Sequence, residues 1–103
     1  MAVMVTSLAI LQHTVVKWAD QIAPQRQPKD TVVKMVSEVA ELLDAVLNKD
    51  PSAVRGEIGD VIILLVDIAN MYDIDPVTAG LDKMVINKQR EWEIKDGVMR
   101  RIK

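Results

Sequence analysis

Residues 57–72 read EIGDVIILLVDIANMY and contain the longest apolar run of this 103-residue chain. The run extends from Val61 to Val66, lies between Asp60 and Asp67, and is too short to cross a membrane. Because the segment is apolar on nearly every side after Asp60, it predicts the central, most enclosed helix of a helical protein. In so small a chain, a helix of this kind also favours self-association, since three neighbouring helices give it too little cover.

Proline residues predict where the helices begin. Asp50-Pro51 and Asp75-Pro76 each place a capping carboxylate directly before a proline, which is well tolerated in the first helical turn. The stretch PQRQP at residues 24–28 is typical of a loop. Elsewhere apolar residues recur every three or four positions, as in Val32, Val36, Val39, Leu43 and Val46. This spacing outweighs the strand preference of valine and isoleucine. It predicts four helices, over residues 5–23, 30–48, 51–73 and 76–94, and then an irregular basic tail.

The composition narrows the possible functions. The chain is 50% apolar and 27% charged with a net charge of −2, which predicts one globular domain over residues 1–103. The near-balance of charge argues against nonspecific nucleic-acid or membrane binding. With no cysteine there is no thiolate chemistry, and the single histidine, His13, is expected on a helix surface. No basic residue precedes the N-terminal apolar residues, so we expect no signal peptide and a cytoplasmic protein.

Charge is distributed unevenly along the chain. Residues 37–82 carry ten acidic and two basic residues, whereas residues 83–103 carry seven basic and three acidic ones. This asymmetry indicates a site that holds cations and anions together. The alternative is ordinary solvated helix faces.

Two carboxylate pairs stand where apolar residues would be expected. Glu38 and Glu41 lie three residues apart on the second predicted helix, and Glu57 and Asp60 repeat that spacing on the third. Antiparallel helices can bring the four acids together, and a divalent cation would offset their repulsion. Ligands that are all oxygen suit Mg²⁺ or Mn²⁺. The alternative is two solvent-facing helix edges, in which Glu38 lies near Lys34 and Glu57 near Arg55.

Other polar residues are candidates for substrate contacts. Asp67, seven residues after Asp60, needs a polar partner, either in the site or in a contact between helices of two copies. Lys83, Asn87 and Arg90 form one polar stripe on the fourth predicted helix, which suits phosphate oxygens unless it is only a solvated basic face. Trp18 is either a stacking surface for a base or, since it lies on the apolar stripe of the first helix, a core residue.

The order of these motifs resembles one enzyme family. Lys34-Met-Val-Ser-Glu38-Val-Ala-Glu41-Leu, followed by Glu57-Ile-Gly-Asp60-Val, is similar to the EExxE…ExxD signature of the MazG-like nucleotide pyrophosphohydrolases. Residues 65–75 and the Lys83-x-x-x-Asn87-x-x-Arg90 pattern also resemble that family, so the similarity covers about residues 13–94. One departure is Ser37, which stands where the family usually has the first glutamate of the pair.

The resemblance implies an all-α, four-helix bundle-like MazG fold that assembles as a homodimer or homotetramer. It implies hydrolysis of a nucleoside or deoxynucleoside triphosphate to the monophosphate and pyrophosphate with Mg²⁺, or alternatively Mn²⁺, in nucleotide house-cleaning or pool control. The implied metal ligands are Glu38, Glu41, Glu57 and Asp60, with Glu38 or Glu41 as the base. The candidate substrate contacts are Lys34, Lys83, Asn87, Arg90, Asp67 and Trp18.

Two other functions remain open at this level. A phosphoribosyl-ATP pyrophosphohydrolase would use the same arrangement of metal-binding carboxylates to hydrolyse a different nucleotide. A non-catalytic helical oligomerisation or regulatory module would be consistent with Ser37, although the four retained acids argue against it.

Overall fold

The computed structural model describes residues 7–103 and contains four α-helices followed by a β-hairpin. The helices are α1 (Leu8–Ile22), α2 (Pro28–Leu47), α3 (Pro51–Met71) and α4 (Pro76–Lys88), and the strands are β1 (Trp92–Lys95) and β2 (Val98–Arg101). The prediction of a mostly helical, four-helix fold is confirmed. Residues 5 and 6 of the first predicted helix lie outside the described residues.

Side-chain caps fix three of the four helix starts. The side chains of Ser7, Asp50 and Asp75 each accept a hydrogen bond from a backbone N–H in the first turn of α1, α3 and α4. The helix starts predicted at Pro51 and Pro76 are therefore confirmed. Helix α2 begins at Pro28, two residues earlier than predicted, because a proline needs no amide partner in the first turn.

Helix α3 occupies the centre of the molecule, as its sequence predicts, because both α1 and α2 pack against it. Its Val66 is 1% exposed, and the other buried apolar residues are Val15, Ala19, Ala45 and Ala69. The side-chain amide of Gln12 on α1 donates to the carbonyl of Val66 at 2.9 Å. We refer to α1, α2 and α3 together as the three-helix unit.

The apolar stripe that predicts α2 does not face this core. The residues that α2 buries are Thr31, Glu38 and Ala45, seven positions apart. The stripe itself, Val32, Val36, Val39, Leu43 and Val46, is between 39% and 64% exposed. Helix α2 therefore turns a narrow face with a buried acid toward α3 and leaves its widest apolar face outside.

Residues 76–101, comprising α4 and the β-hairpin, form an arm that lies apart from the three-helix unit. Within residues 7–103, α4 contributes no buried residue and packs along none of the other helices. The Cα radius of gyration is 16.2 Å, larger than the value of about 13 Å typical of a compact domain of this length.

The prediction of an irregular tail is wrong. Helix α4 ends at Lys88, short of the predicted residue 94, and the chain then turns back on itself at Asp96-Gly97. Both turn residues have positive φ, 53° and 78°, as a two-residue hairpin turn of the primed type requires. The Asp96-Gly97 pair, between the short segments Trp92–Lys95 and Val98–Arg101, is the local sequence signal for this hairpin.

None of the helices in residues 7–103 is long and apolar enough to span a membrane.

Candidate active site

Helices α2 and α3 bring three of the four predicted metal ligands together. One carboxylate oxygen from each of Glu38, Glu41 and Glu57 lies within 4.8 Å of the other two. We call these three residues the carboxylate cluster. Asp60, one turn beyond Glu57 on α3, is exposed and lies outside this group, although its charge still reaches Glu57 and Lys34.

Protein groups provide hydrogen-bond or ion-pair partners for only some of the carboxylate oxygens in the cluster. Glu38 is 7% exposed, and its Oε1 forms an ion pair with Lys34 Nζ at 2.9 Å. Its Oε2, and the Oε2 of Glu57, are buried without a hydrogen-bond partner among residues 7–103. Because buried carboxylate oxygens rarely lack a partner, these two atoms indicate a ligand.

The pKa values of the three glutamates reflect the same excess of carboxylates over positively charged or hydrogen-bonding partners. Burial, together with the neighbouring acids, raises the pKa of Glu57 to about 7. The ion pair with Lys34 lowers the pKa of Glu38, and the adjacent carboxyl group of Glu38 raises the pKa of Glu41. The ammonium group of Lys34 therefore lies beside three carboxyl groups, and one of these, Glu57, has its pKa raised to about 7 by its surroundings.

The residues present fit a divalent metal ion. The donors are all carboxylate oxygens, they converge within a few ångströms, and the buried Oε2 atoms of Glu38 and Glu57 have no hydrogen-bond partner among residues 7–103. This is the ligand set of Mg²⁺ or Mn²⁺, which prefer hard oxygen donors, and a cation there would offset the repulsion.

A cleft of about 280 Å³ opens beside the cluster, between α1, α3 and the start of α2. Lys34 connects the two, because it lines the cleft and is paired with Glu38. Trp18 lines the opposite side and is 58% exposed, so the core-packing interpretation of this residue is wrong. The cleft thus combines an exposed indole, apolar walls and a cation beside the acids.

Asp67 lies at the inner end of this cleft and has a partner that sequence analysis missed. Arg26 donates to both of its carboxylate oxygens, from Nε at 2.8 Å and from Nη2 at 2.6 Å. Arg26 also pairs with Asp20 at 2.8 Å, and the hydrogen bond with Asp67 is the main reason that its pKa is raised. Asp67 is 4% exposed, so its need for a polar partner is met within the chain. A contact between Asp67 and substrate stays a prediction.

The basic stripe lies on the arm. Lys83 and Asn87 belong to α4, while Arg90 follows its end and donates to Asn87 Oδ1 at 3.3 Å. Trp92 Nε1 donates to the carbonyl of Asn87 at 2.9 Å, and both tryptophan and arginine line a second cleft of about 500 Å³. In the described part of the chain, no hydrogen bond or ion pair connects the stripe to the carboxylate cluster. Its role at phosphate stays a prediction.

Comparison with known proteins gives consistent results. A sequence model described as the MazG nucleotide pyrophosphohydrolase domain matches residues 26–91. The chain is 34% identical over 100 residues to a dATP/dGTP diphosphohydrolase of Cyanophage S-2L, covering 96% of this chain and 91% of the relative. It is 39% identical over 92 residues to a dATP/dGTP diphosphohydrolase of Salmonella phage PMBT28, covering 88% of this chain but only 30% of that protein.

Solved structures agree at the level of the fold. The Cyanophage S-2L MazG-like pyrophosphohydrolase, bound to dGDP and three catalytic Mn²⁺ ions per active site, superposes with a TM-score of 0.84 at 32% identity, covering 98% of both chains. The Bacillus-conserved MazG protein, a nucleotide pyrophosphohydrolase, superposes with a TM-score of 0.70 at 23% identity, covering 86% of this chain and 95% of that one, and supports the fold alone. The motifs, the carboxylate cluster and these similarities together show that the chain belongs to the MazG nucleotide pyrophosphohydrolase family.

Proposed function

We propose that this nucleotide pyrophosphohydrolase acts on purine deoxynucleoside triphosphates and releases the monophosphate and pyrophosphate. The observation that carries the proposal is the juxtaposition of the carboxylate cluster with a cleft lined by an exposed tryptophan. The names of the two phage relatives, dATP/dGTP diphosphohydrolases, support the choice of substrate. A biological role in nucleotide house-cleaning or pool control and a cytoplasmic location stay predictions.

We assign metal binding to Glu38, Glu41, Glu57 and Asp60. The three cluster residues already converge, and Asp60 is the next acid along α3, exposed one helical turn from Glu57. When bound, Mg²⁺ or Mn²⁺ supplies positive charge that offsets the charge of the phosphate oxygens.

Within the cluster, Glu41 is the better placed base. Glu38 is buried and has one oxygen occupied by Lys34, whereas Glu41 is exposed to solvent. Water can therefore approach Glu41 and transfer a proton to it as the oxygen attacks phosphorus. Lys34 holds Glu38 in place and presents its charge to the cleft.

The cleft is suited to the nucleoside. The exposed face of Trp18 provides a stacking surface for a purine, and Ile22 and Ile63 provide apolar walls. Arg26 holds Asp67 rigidly at the inner end, so that this carboxylate is a positioned acceptor for a donor on the nucleoside.

Phosphate contacts are assigned to Lys83, Asn87 and Arg90 of a second copy of the chain. Helix α4 does not pack along α3, so the stripe of one copy is not held against its own cluster. Self-association as a homodimer or homotetramer would bring an acidic unit and a basic arm together, as the uneven charge of the sequence favours.

The proposal is tested with a substrate panel and product identification. Purified protein is incubated with dATP, dGTP, dCTP, dTTP, ATP, GTP and phosphoribosyl-ATP, with Mg²⁺ or Mn²⁺, and products are separated by chromatography. We expect purine deoxynucleotides to be turned over fastest, giving monophosphate and pyrophosphate. Orthophosphate and a diphosphate as primary products would contradict the assigned bond cleavage. Preference for phosphoribosyl-ATP would make the protein that enzyme, and no turnover of any nucleotide would favour the non-catalytic module.

A further inference from the structure

Among residues 7–103, Lys34 is the one positively charged side chain that forms an ion pair with the carboxylate cluster. Its Nζ lies 2.9 Å from Oε1 of Glu38, which follows one turn later on α2. Three carboxyl groups converge at this point, and the buried Oε2 atoms of Glu38 and Glu57 have no hydrogen-bond partner in the same part of the chain. The ammonium therefore offsets only part of the negative charge, and it pairs with a residue to which we assign metal binding.

The two partners of this ion pair differ in their freedom to move. The side chain of Glu38 is 9% exposed, whereas that of Lys34 is 61% exposed. Because lysine has a flexible four-carbon stem, its ammonium can leave Glu38 without a movement of the backbone. A divalent cation competes for the same carboxylate, carries twice the charge and repels the ammonium. Metal and Lys34 are therefore alternative partners for Glu38.

A released Lys34 would still lie beside the cleft. Of the residues between 7 and 103 that line this cleft, two are cations, Lys34 and Arg26. Arg26 is paired with Asp67 at 2.6 Å and with Asp20 at 2.8 Å, so its charge is already engaged. Lys34 is thus the cation of the cleft that can turn from the cluster toward an anionic ligand, and phosphate oxygens are strong acceptors for an ammonium.

We propose that Lys34 exchanges partners, from Glu38 in the chain without metal to the nucleotide phosphates once a divalent cation is bound at Glu38. This exchange presupposes the nucleotide pyrophosphohydrolase function proposed above and couples its two ligands. Without metal, the lysine stays on Glu38 and the remaining carboxylates repel the triphosphate. By linkage, a nucleotide that draws Lys34 away from Glu38 also raises the affinity for metal.

Other acids near Lys34 offer the ammonium a competing partner. Glu41 and Asp60 attract it from the side of the cluster. Asp30 lies one turn before Lys34 on α2 and lines the same cleft, so it can hold the released ammonium in place of phosphate. Metal binding and nucleotide binding therefore have to be measured separately.

Binding of Mn²⁺ alone tests the first half of the exchange. A lysine that competes with the metal and a lysine that only orients Glu38 for the metal predict effects of opposite sign. In Lys34→Gln we expect the Kd for Mn²⁺, measured without nucleotide by electron paramagnetic resonance of the free ion, to fall about fivefold. In Lys34→Arg, which keeps the charge, it should stay within about twofold of the wild type.

Arg55→Gln is the matched control for loss of positive charge. Arg55 is exposed on α3, two residues from Glu57 and therefore about 200° away from it around the helix. We expect its substitution to change the Kd for Mn²⁺ by less than about twofold. An equal gain of affinity in both variants would show a general effect of charge and overturn the exchange. A rise of this Kd in Lys34→Gln would show that the lysine only orients Glu38, and would overturn it as well.

Binding of a nucleotide tests the second half. A non-hydrolysable dGTP analogue with an imido group between the α and β phosphates is titrated by calorimetry, once with saturating Mn²⁺ and once with a chelator. With Mn²⁺, Lys34→Gln should bind the analogue about tenfold more weakly than the wild type, because a charged hydrogen bond to phosphate is lost. With the chelator the two proteins should agree within about twofold, since Lys34 is then held by Glu38.

The remaining outcomes separate the exchange from the proposed function. An equal loss with and without Mn²⁺ would show that Lys34 reaches phosphate while paired with Glu38, and no loss with Mn²⁺ would assign the released ammonium to Asp30. Either result would overturn the exchange. A wild type that cleaves dGTP while Lys34→Gln binds Mn²⁺ no more tightly would overturn the exchange alone. A wild type that binds Mn²⁺ but neither binds the analogue nor cleaves dGTP would overturn the proposed function and the exchange with it.

Discussion

The three-helix unit and the arm differ in how much each is buried by other parts of the same chain. The unit has a buried core around Val66, an ion pair between the half-buried Arg26 and the buried Asp67, and two helices, α1 and α2, that both pack on α3. The arm has capped ends, a regular helix and a paired hairpin, but no residue of α4 is buried. The arm thus has regular secondary structure, although none of the helices within residues 7–103 packs along α4.

The chemistry is divided along the same boundary. The carboxylate cluster belongs to the unit, and the basic stripe belongs to the arm. Substitutions in the unit should act on metal binding, stability and catalysis, whereas substitutions in the arm should act on catalysis alone.

The largest expected effect is on catalysis in the unit. Glu57→Gln keeps the shape of the side chain but removes a ligand charge, so we expect kcat/KM to fall by about 10³-fold, about 4 kcal/mol of transition-state stabilisation. The thermal shift produced by Mg²⁺ or Mn²⁺ should also be lost. Steady-state kinetics and melting curves measure both effects.

Glu91→Gln, an exposed acid of the arm, is the matched control and should leave both quantities unchanged. An unchanged metal-induced shift in Glu57→Gln would remove this residue from the ligand set.

Next in size is the loss of the buried ion pair in the unit. Arg26→Met leaves Asp67 buried without its partner, so we expect the free energy of unfolding to fall by about 3 kcal/mol. Chemical denaturation measures this change. Asp20→Asn removes only the ion pair between Arg26 and the exposed Asp20, so the free energy of unfolding should fall by less than about 1 kcal/mol. Equal losses in the two variants would show that burial of Asp67 contributes nothing.

A smaller effect is expected in the arm. Arg90→Ala should lower kcat/KM by about tenfold, about 1.4 kcal/mol, and leave the melting temperature and the metal-induced shift intact. Arg90→Lys should restore little, because an ammonium does not reproduce the planar fork of a guanidinium. Lys95→Ala on the hairpin is the control for loss of positive charge.

The same arm variant tests whether the stripe serves a second copy. In an equal mixture of Arg90→Ala and Glu41→Gln chains, half of the dimers are mixed and each contains one complete site. We therefore expect about one quarter of the wild-type activity. Activity no higher than the sum of the two variants would assign the arm to the site of its own chain.

The smallest effect is on the pH dependence of stability without metal. The raised pKa of Glu57, about 7, means that the folded chain binds a proton more tightly than the unfolded chain, whose glutamate pKa is 4.5. Its contribution to stability is complete below pH 4.5 and is lost as the pH rises through 7. The lowered pKa of Glu38 acts in the opposite direction at more acidic pH, where protonation destabilises the fold.

Melting curves in the presence of a chelator, at intervals from pH 5 to 8, should show a falling melting temperature for the wild type and a flatter profile for Glu57→Gln. A parallel fall in both proteins would place the responsible group outside the carboxylate cluster.

Sequence by itself determined the features that depend on near neighbours. The helix starts at Pro51 and Pro76 follow from an aspartate next to a proline, because the cap and the capped amide are within three residues of each other. The pairing of Glu38 with Glu41 follows from helical spacing alone, as does the apolar stripe of α2 that contains Val39. The hairpin at Asp96-Gly97 belongs to this class too, since its turn signal is local, although the prediction overlooked it.

Only the tertiary structure decided which faces of these helices are buried and which side chains from distant segments meet. The apolar stripe of α2 and the face bearing Glu38 both follow a helical repeat, and the more apolar of the two is the one left exposed. The Arg26–Asp67 pair joins a loop to a helix 41 residues away, at a separation where spacing carries no information. Glu57 joins Glu38 and Glu41 for the same reason. Local spacing specifies the direction of a side chain around its own helix, but the neighbour that it meets depends on how whole helices pack.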